Sequence, residues 1–180
     1  MLQTQSSALP HAYRWHGRTS THCLASGLDD YPRHSLNTVN EGHVDLLAWT
    51  AFSLSTLADI EEGLGIGERK EGIARSLREE AEALRERLLT EYWDENSHFF
   101  SDLGMVERVV DDHDEHEHEH EHEHEYGHEG KRKKVIREVG FECHIGYVTL
   151  LPFALQLLEV DDPRVGEILD VIEDPEQVGM

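Results

Sequence analysis

Residues 41–63 read EGHVDLLAWTAFSLSTLADIEEG. Val44, Leu47, Ala48, Ala51, Leu54 and Ala58 recur at helical spacing, and glycines at 63, 65 and 67 end the run, so the spacing predicts a helix over about 40–63. A second helix is expected over about 68–93, with Ile73, Leu77, Ala81, Leu84 and Leu88 on one face and Arg and Glu on the other. Two more are expected at about 144–159 and 163–172, the last opened by Asp162 ahead of Pro163. Residues 1–35, rich in Ser, Thr, Gly, Pro and His, show no sustained period and read as loop, the first twelve as disordered.

Between the second and third helices the pattern changes. Residues 93–110, WDENSHFFSDLGMVERVV, combine turn formers, paired aromatics and a β-branched end, which reads as a short hairpin or extended loop. From 111 to 130 His and Glu alternate with period two. No apolar residue there repays the entropy of ordering, so a disordered, low-complexity insertion is expected over 111–134, ending in the basic cluster 131–134. With four helices and few strands, the chain is expected to be all-α.

The 180 residues suit one domain, and 16 Lys and Arg against 38 Asp and Glu give a net charge of −22. Such a surface repels phosphate, which excludes nucleic acid as a partner. Residues 111–129 hold ten of the acids and seven of the 14 histidines, and without them the charge is −12. Cys23 and Cys143 lie 120 positions apart, neither a metal-ligand spacing nor a disulfide framework. The start lacks a basic segment followed by an apolar run. The most apolar stretch, 148–158, is interrupted by Pro152 and Gln156 and is too short to span a bilayer, so no membrane contact is expected from this segment.

Three stretches carry candidate chemistry. SGLDDYPR (26–33) sets Asp29 and Asp30 beside Tyr31 and Arg33; adjacent carboxylates disfavour each other's charge, so one could donate a proton, or an Asp could simply cap a turn. EGHVDLLAW (41–49) spaces Glu41, Asp45 and Trp49 at i, i+4 and i+8. Two carboxylates and an indole on one face suit a sugar cleft, whereas the alternative is helix-dipole stabilisation with Trp49 as core. YRWHGR (13–18) adds Arg14, Trp15 and Arg18 as a sugar-contacting segment or an exposed arm. The His/Glu run could bind Zn²⁺ or Ni²⁺ but offers no fixed geometry, and no P-loop, GxGxxG, GxSxG or HExxH motif occurs.

Together YRWHGR, LASGLDDYPR, EGHVDLLAW and GYVTLLPFALQLL (146–158) resemble, in order and spacing, the C-terminal catalytic domain of glycoside hydrolase family 63, the processing α-glucosidase I family. The resemblance implies part of an (α/α)6 toroid. It also implies an inverting hydrolase that removes the terminal α-1,2-linked glucose from the triglucosylated N-glycan precursor. The setting it implies is the lumenal side of a membrane-anchored protein of the endoplasmic reticulum, with no metal or organic cofactor. Asp29 falls on the family's general acid. Glu41 and Asp45 fall on the acids of its ERHxDLxxW substrate-binding motif, and Arg14, Trp15, Asp30, Arg33 and Trp49 become further candidate sugar contacts. Gly42 stands where that motif has Arg, and His16 where YRWRGR-like sequences have Arg. The family's general base, about 6.5–9.5 Å from the acid in an inverting enzyme, falls downstream of residue 180. On that account this chain is expected to be the first half of the catalytic domain, with little turnover by itself. Two other classes remain open at this point: a related helical-toroid glycosidase of small α-glucosides, and a non-catalytic His/Glu-rich metal-binding protein.

Overall fold

The computed structural model of the chain describes residues 5–34, 36–64, 68–111, 133–142 and 144–173. Four helices occur among them: α1 (Val44–Gly63), α2 (Glu68–Glu91), α3 (Tyr147–Ala154) and α4 (Pro163–Glu173). Four strands accompany them: β1 (Trp93–Asp94), β2 (Phe99–Phe100), β3 (Asp102–Asp111) and β4 (Lys133–Glu142). α1 packs along α2 and α3, and α3 also meets β2. Every member of the α1 stripe from Val44 to Ala58 is buried. It meets Ala81, Leu84 and Leu88 of α2, the aromatics Tyr92, Trp93, Phe99 and Phe100, Val148 of α3, and Ile168 and Val171 of α4. No helix of the described residues is long and apolar enough to cross a membrane.

The all-α expectation is overturned by two antiparallel two-stranded sheets, β1–β2 and β3–β4, which make the fold mixed. The first is the short hairpin that the paired aromatics foretold. The second runs in continuous register from Asp102 opposite Glu142 to Asp111 opposite Lys133. Its cause is visible in period two: Leu103, Met105 and Val109 on β3 face Phe141, Val139 and Val135 on β4, and Glu107 faces Arg137, which it binds at 2.7 Å. Arg108 adds a diagonal ion pair to Glu138 at 2.8 Å. Reading the basic cluster as the end of a disordered tract hid the strand that begins inside it. The expected disorder at 112–132 lies outside the described residues, as do Cys143 and residues 1–4.

Two helix limits also moved. α1 starts at Val44, so Glu41 precedes the helix. α3 ends at Ala154, well short of 159; Pro152 sits inside it and Gln156 turns to a positive φ of 56°. Arg164 N–H donates to Asp162 Oδ1 at 3.0 Å, as expected of an Asp that opens a helix. Residues 5–12, expected to lack order, are tied down: Ala8 N–H donates to the Val39 carbonyl at 2.9 Å, and Arg14 N–H to that of Gln5 at 2.9 Å.

Candidate functional site

The segment 13–36 reaches α1 as a long irregular arm, and two arginines pin it. Arg18 donates from Nε and Nη2 to the two carboxylate oxygens of Glu41 at 2.7 and 2.6 Å. Spare Nη2 capacity goes to the His34 carbonyl at 2.8 Å. Glu41 also accepts the Thr38 N–H at 2.6 Å and His43 Nε2 at 3.1 Å. Since His43 Nδ1 accepts the Trp15 N–H at 2.8 Å, the ring proton sits on Nε2 and is donated to Glu41. Burial alone would raise the Glu41 pKa, but the bonds from His43, Arg18 and Thr38 outweigh it and hold it at about 2.

Arg33 forms the second pin. Its Nη1 and Nη2 reach Asp45 Oδ1 and Oδ2 at 3.0 and 2.5 Å, and Nη1 also reaches Asp102 Oδ2 at 2.8 Å. Asp102 Oδ1 accepts the Val44 N–H at the start of α1, at 2.8 Å. Burial lowers the Arg33 pKa, yet the charges and hydrogen bonds of Asp102 and Asp45 more than offset this and raise it. Asp45 Oδ2 accepts the Trp15 indole N–H at 3.0 Å. Such pairs are specific but not strongly stabilising in sum, because desolvation opposes the Coulombic gain.

Between these pins the SGLDDYPR loop closes on itself. Ser26 Oγ donates to the Cys23 carbonyl at 2.7 Å and accepts the Leu28 N–H at 3.1 Å, while Gly27 takes a φ of 71° that suits glycine. The capping side chain is thus Ser26 and neither Asp. Cys23 N–H donates to the Asp29 carbonyl at 2.9 Å, and Tyr31 Oη donates to the His144 carbonyl at 2.6 Å. Asp29 and Asp30 are exposed. Among the described residues the Asp29 carboxylate has no partner, whereas Asp30 lies 3.4 Å from His22 Nε2.

The structure therefore splits the sequence-derived site residues. Glu41, Asp45 and Arg33 are buried in ion pairs at 0%, 1% and 6% exposure, whereas Asp29 and Asp30 are exposed, Asp30 beside His22. Glu41, Asp45 and Trp49 do not form one helix face: Glu41 lies before α1, Asp45 is buried against Arg33, and Trp49 is 42% exposed. Trp49 and half-buried Trp15 instead line an apolar groove of about 510 Å³ with Tyr13, Leu46, Leu54 and Leu57. Half-buried Arg14 has no side-chain partner among the described residues. Sequence reasoning missed Asp102 and His43 as members of the network. His43 lay within a quoted motif; Asp102 had no signal beyond an acid placed at the start of an alternating run.

Gly42 is fixed by close approach. Its N–H and carbonyl pair with Leu103 at 2.9 and 2.8 Å, and a Cβ there would lie 2.3 Å from the hydroxyl of fully buried Tyr92. No larger side chain fits at 42 while Tyr92 stays in place. Gly42→Ala is expected to cost about 1–3 kcal/mol in urea unfolding, and Tyr92→Phe in the same chain should restore part of it; equal stability of Gly42→Ala and the native chain would refute the packing.

Residues 1–179 match the glycosyl hydrolase family 63 C-terminal domain. The chain is 34% identical over 92% of its length to mannosyl-oligosaccharide glucosidase of Saccharomyces cerevisiae (strain ATCC 204508 / S288c), covering 16% of that protein. It is 35% identical, again over 92%, to a probable mannosyl-oligosaccharide glucosidase of Schizosaccharomyces pombe (strain 972 / ATCC 24843), covering 17% of it. Alpha-glucosidase 2 of Arabidopsis thaliana is 31% identical over 89% of the chain and is covered over 21% of its own length. The chain thus spans about a sixth of the length of the two yeast relatives. With the family model matched almost end to end, and an arm bearing a free carboxylate pinned to a helix, the chain belongs to the glycosyl hydrolase family 63 C-terminal domain family.

Proposed function

We propose that this chain contributes the general acid and part of the sugar pocket of an inverting α-glucosidase. Its substrate is the triglucosylated N-glycan precursor, from which it removes the terminal α-1,2-linked glucose. Asp29 is the acid. The observation that carries the reading is the contrast between its free, exposed carboxylate and the buried ion pairs that pin the arm on either side of it. Acid catalysis needs a carboxyl group that can reach a leaving oxygen, on a backbone that does not drift.

Arg14, Trp15, Asp30 and Trp49 are the sugar contacts that solvent can reach; an indole packs on the apolar face of a pyranose. Arg33, Glu41 and Asp45 serve the same pocket from beneath by holding Trp15 and the arm. The setting is the endoplasmic reticulum lumen, where such glycans are trimmed. The relatives named mannosyl-oligosaccharide glucosidase support this substrate class. No residue of this chain is assigned to the general base.

The test is the anomer of the glucose first released, read by proton NMR, when a protein that joins this segment to a general base acts on a triglucosylated glycan and on a free α-linked disaccharide. β-Glucose from the glycan, with slow attack on the disaccharide, is the expected result. α-Glucose would exclude inversion, and preferential disaccharide cleavage would favour a glycosidase of small α-glucosides.

A further inference from the structure

We infer that Asp102 is a positioning residue for the indole of Trp15, and so for the sugar-facing groove; this rests on the reading of that groove as a sugar pocket. Asp102 is 6% exposed and lies far from Trp15 in sequence, at the start of β3. Its two oxygens do different work. Oδ1 receives the Val44 N–H at the N-terminus of α1, and Oδ2 receives Arg33 Nη1, both at 2.8 Å. Arg33 in turn fixes both oxygens of Asp45, and Asp45 Oδ2 is the acceptor of the Trp15 indole N–H at 3.0 Å.

The chain of contacts leaves few free torsions. A guanidinium is planar, so holding Nη1 between two carboxylates sets the plane in which Asp45 lies. That plane aims Oδ2 at the indole. Two carboxylates share one guanidinium, and the excess negative charge sits at the positive end of α1, where the helix dipole favours it. Without the Asp102 charge, Arg33 and Asp45 remain a pair but lose the third point that orients them. The Trp15 backbone stays bonded to His43, but its indole then faces an Asp45 acceptor that is less firmly aimed.

Indole N–H exchange, followed by NMR in the full chain, tests this directly. In Asp102→Asn, Trp15 exchange is expected to speed by about tenfold, the loss of one net hydrogen bond, with Trp49 unchanged as an internal reference. Unchanged Trp15 exchange in a folded Asp102→Asn chain overturns the inference. If that variant does not fold, the native chain still decides: Trp15 must exchange more slowly than exposed, unbonded Trp49, and equal rates overturn it. A titration with D-glucose separates the two levels of argument. A Trp15 shift that needs about fivefold more glucose in Asp102→Asn, a loss of about one weak contact, supports both. No glucose shift in the native chain removes the sugar reading, and the exchange result then stands or falls alone.

Discussion

In a protein that joins this segment to a general base, Asp29→Asn is expected to lower glucose release from a triglucosylated glycan by about 100- to 10,000-fold, the range that a positioned general acid supplies. The amide keeps the size and polarity of the carboxyl group but has no proton to give to the leaving oxygen. Because the Asp29 side chain makes no hydrogen bond or ion pair among the described residues, the substitution removes no structural bond. Unfolding midpoints should therefore stay within about 0.5 kcal/mol of the native chain, as for surface substitutions generally. Asp30→Asn is the necessary companion. Its carboxylate is 87% exposed and sits near His22, so its loss should act on sugar affinity far more than on rate. If the two substitutions cost the same, or if Asp30→Asn costs more, Asp29 is not the acid.

The second large effect is structural. Glu41→Gln is expected to destabilise the chain by about 3–5 kcal/mol, the cost of removing one partner from a buried ion pair. Every group around this carboxylate is a donor: Arg18 Nε and Nη2, His43 Nε2 and the Thr38 N–H. A glutamine amide would turn one of its own N–H groups toward those donors, leaving buried hydrogens unmatched. The same residue gives an acid limb to the stability curve. Its pKa is about 2 in the folded chain against an ordinary value of 4.5. The carboxylate therefore stabilises fully above about pH 4.5 and loses that contribution as pH falls from there through 2, a change of about 3 kcal/mol. Urea unfolding of both chains between pH 2 and 6 should show this limb in the native chain and not in Glu41→Gln; parallel curves would place Glu41 outside the network.

What the sequence disclosed followed from periodicity that packing later used. The Val44 to Ala58 stripe is buried throughout, and α2 presents Ala81, Leu84 and Leu88 as expected. Its near end is rotated: Ala74 is buried and Ile73 is 47% exposed, a shift of one position that a moment cannot resolve. β4 stayed hidden because its partner strand lies across a His/Glu tract, and an ordered ribbon draws on cross-strand pairs that no local window contains. The site divided the same way. Residue types flagged Glu41, Asp45 and Arg33 as chemically dense, which they are. That each carboxylate meets its own arginine depends on contacts between the arm and α1, and Asp102 enters from 57 positions beyond Asp45.

The β3–β4 register has a consequence for where this domain tolerates change. From Asp102 to Asp111 the strand advances about 30 Å at some 3.3 Å per residue, with every step matched on β4. The two strands act as a ribbon whose root is fixed by the ion pair of Asp102. The far rungs thus lie about 30 Å from the carboxylate at 102 and the guanidinium it binds. Near the root the chain is crowded: a Cβ on Gly104 would lie 2.2 Å from the His34 ring, so the third rung tolerates no growth. Close packing thus gathers at one end of the ribbon, the end that carries Asp102.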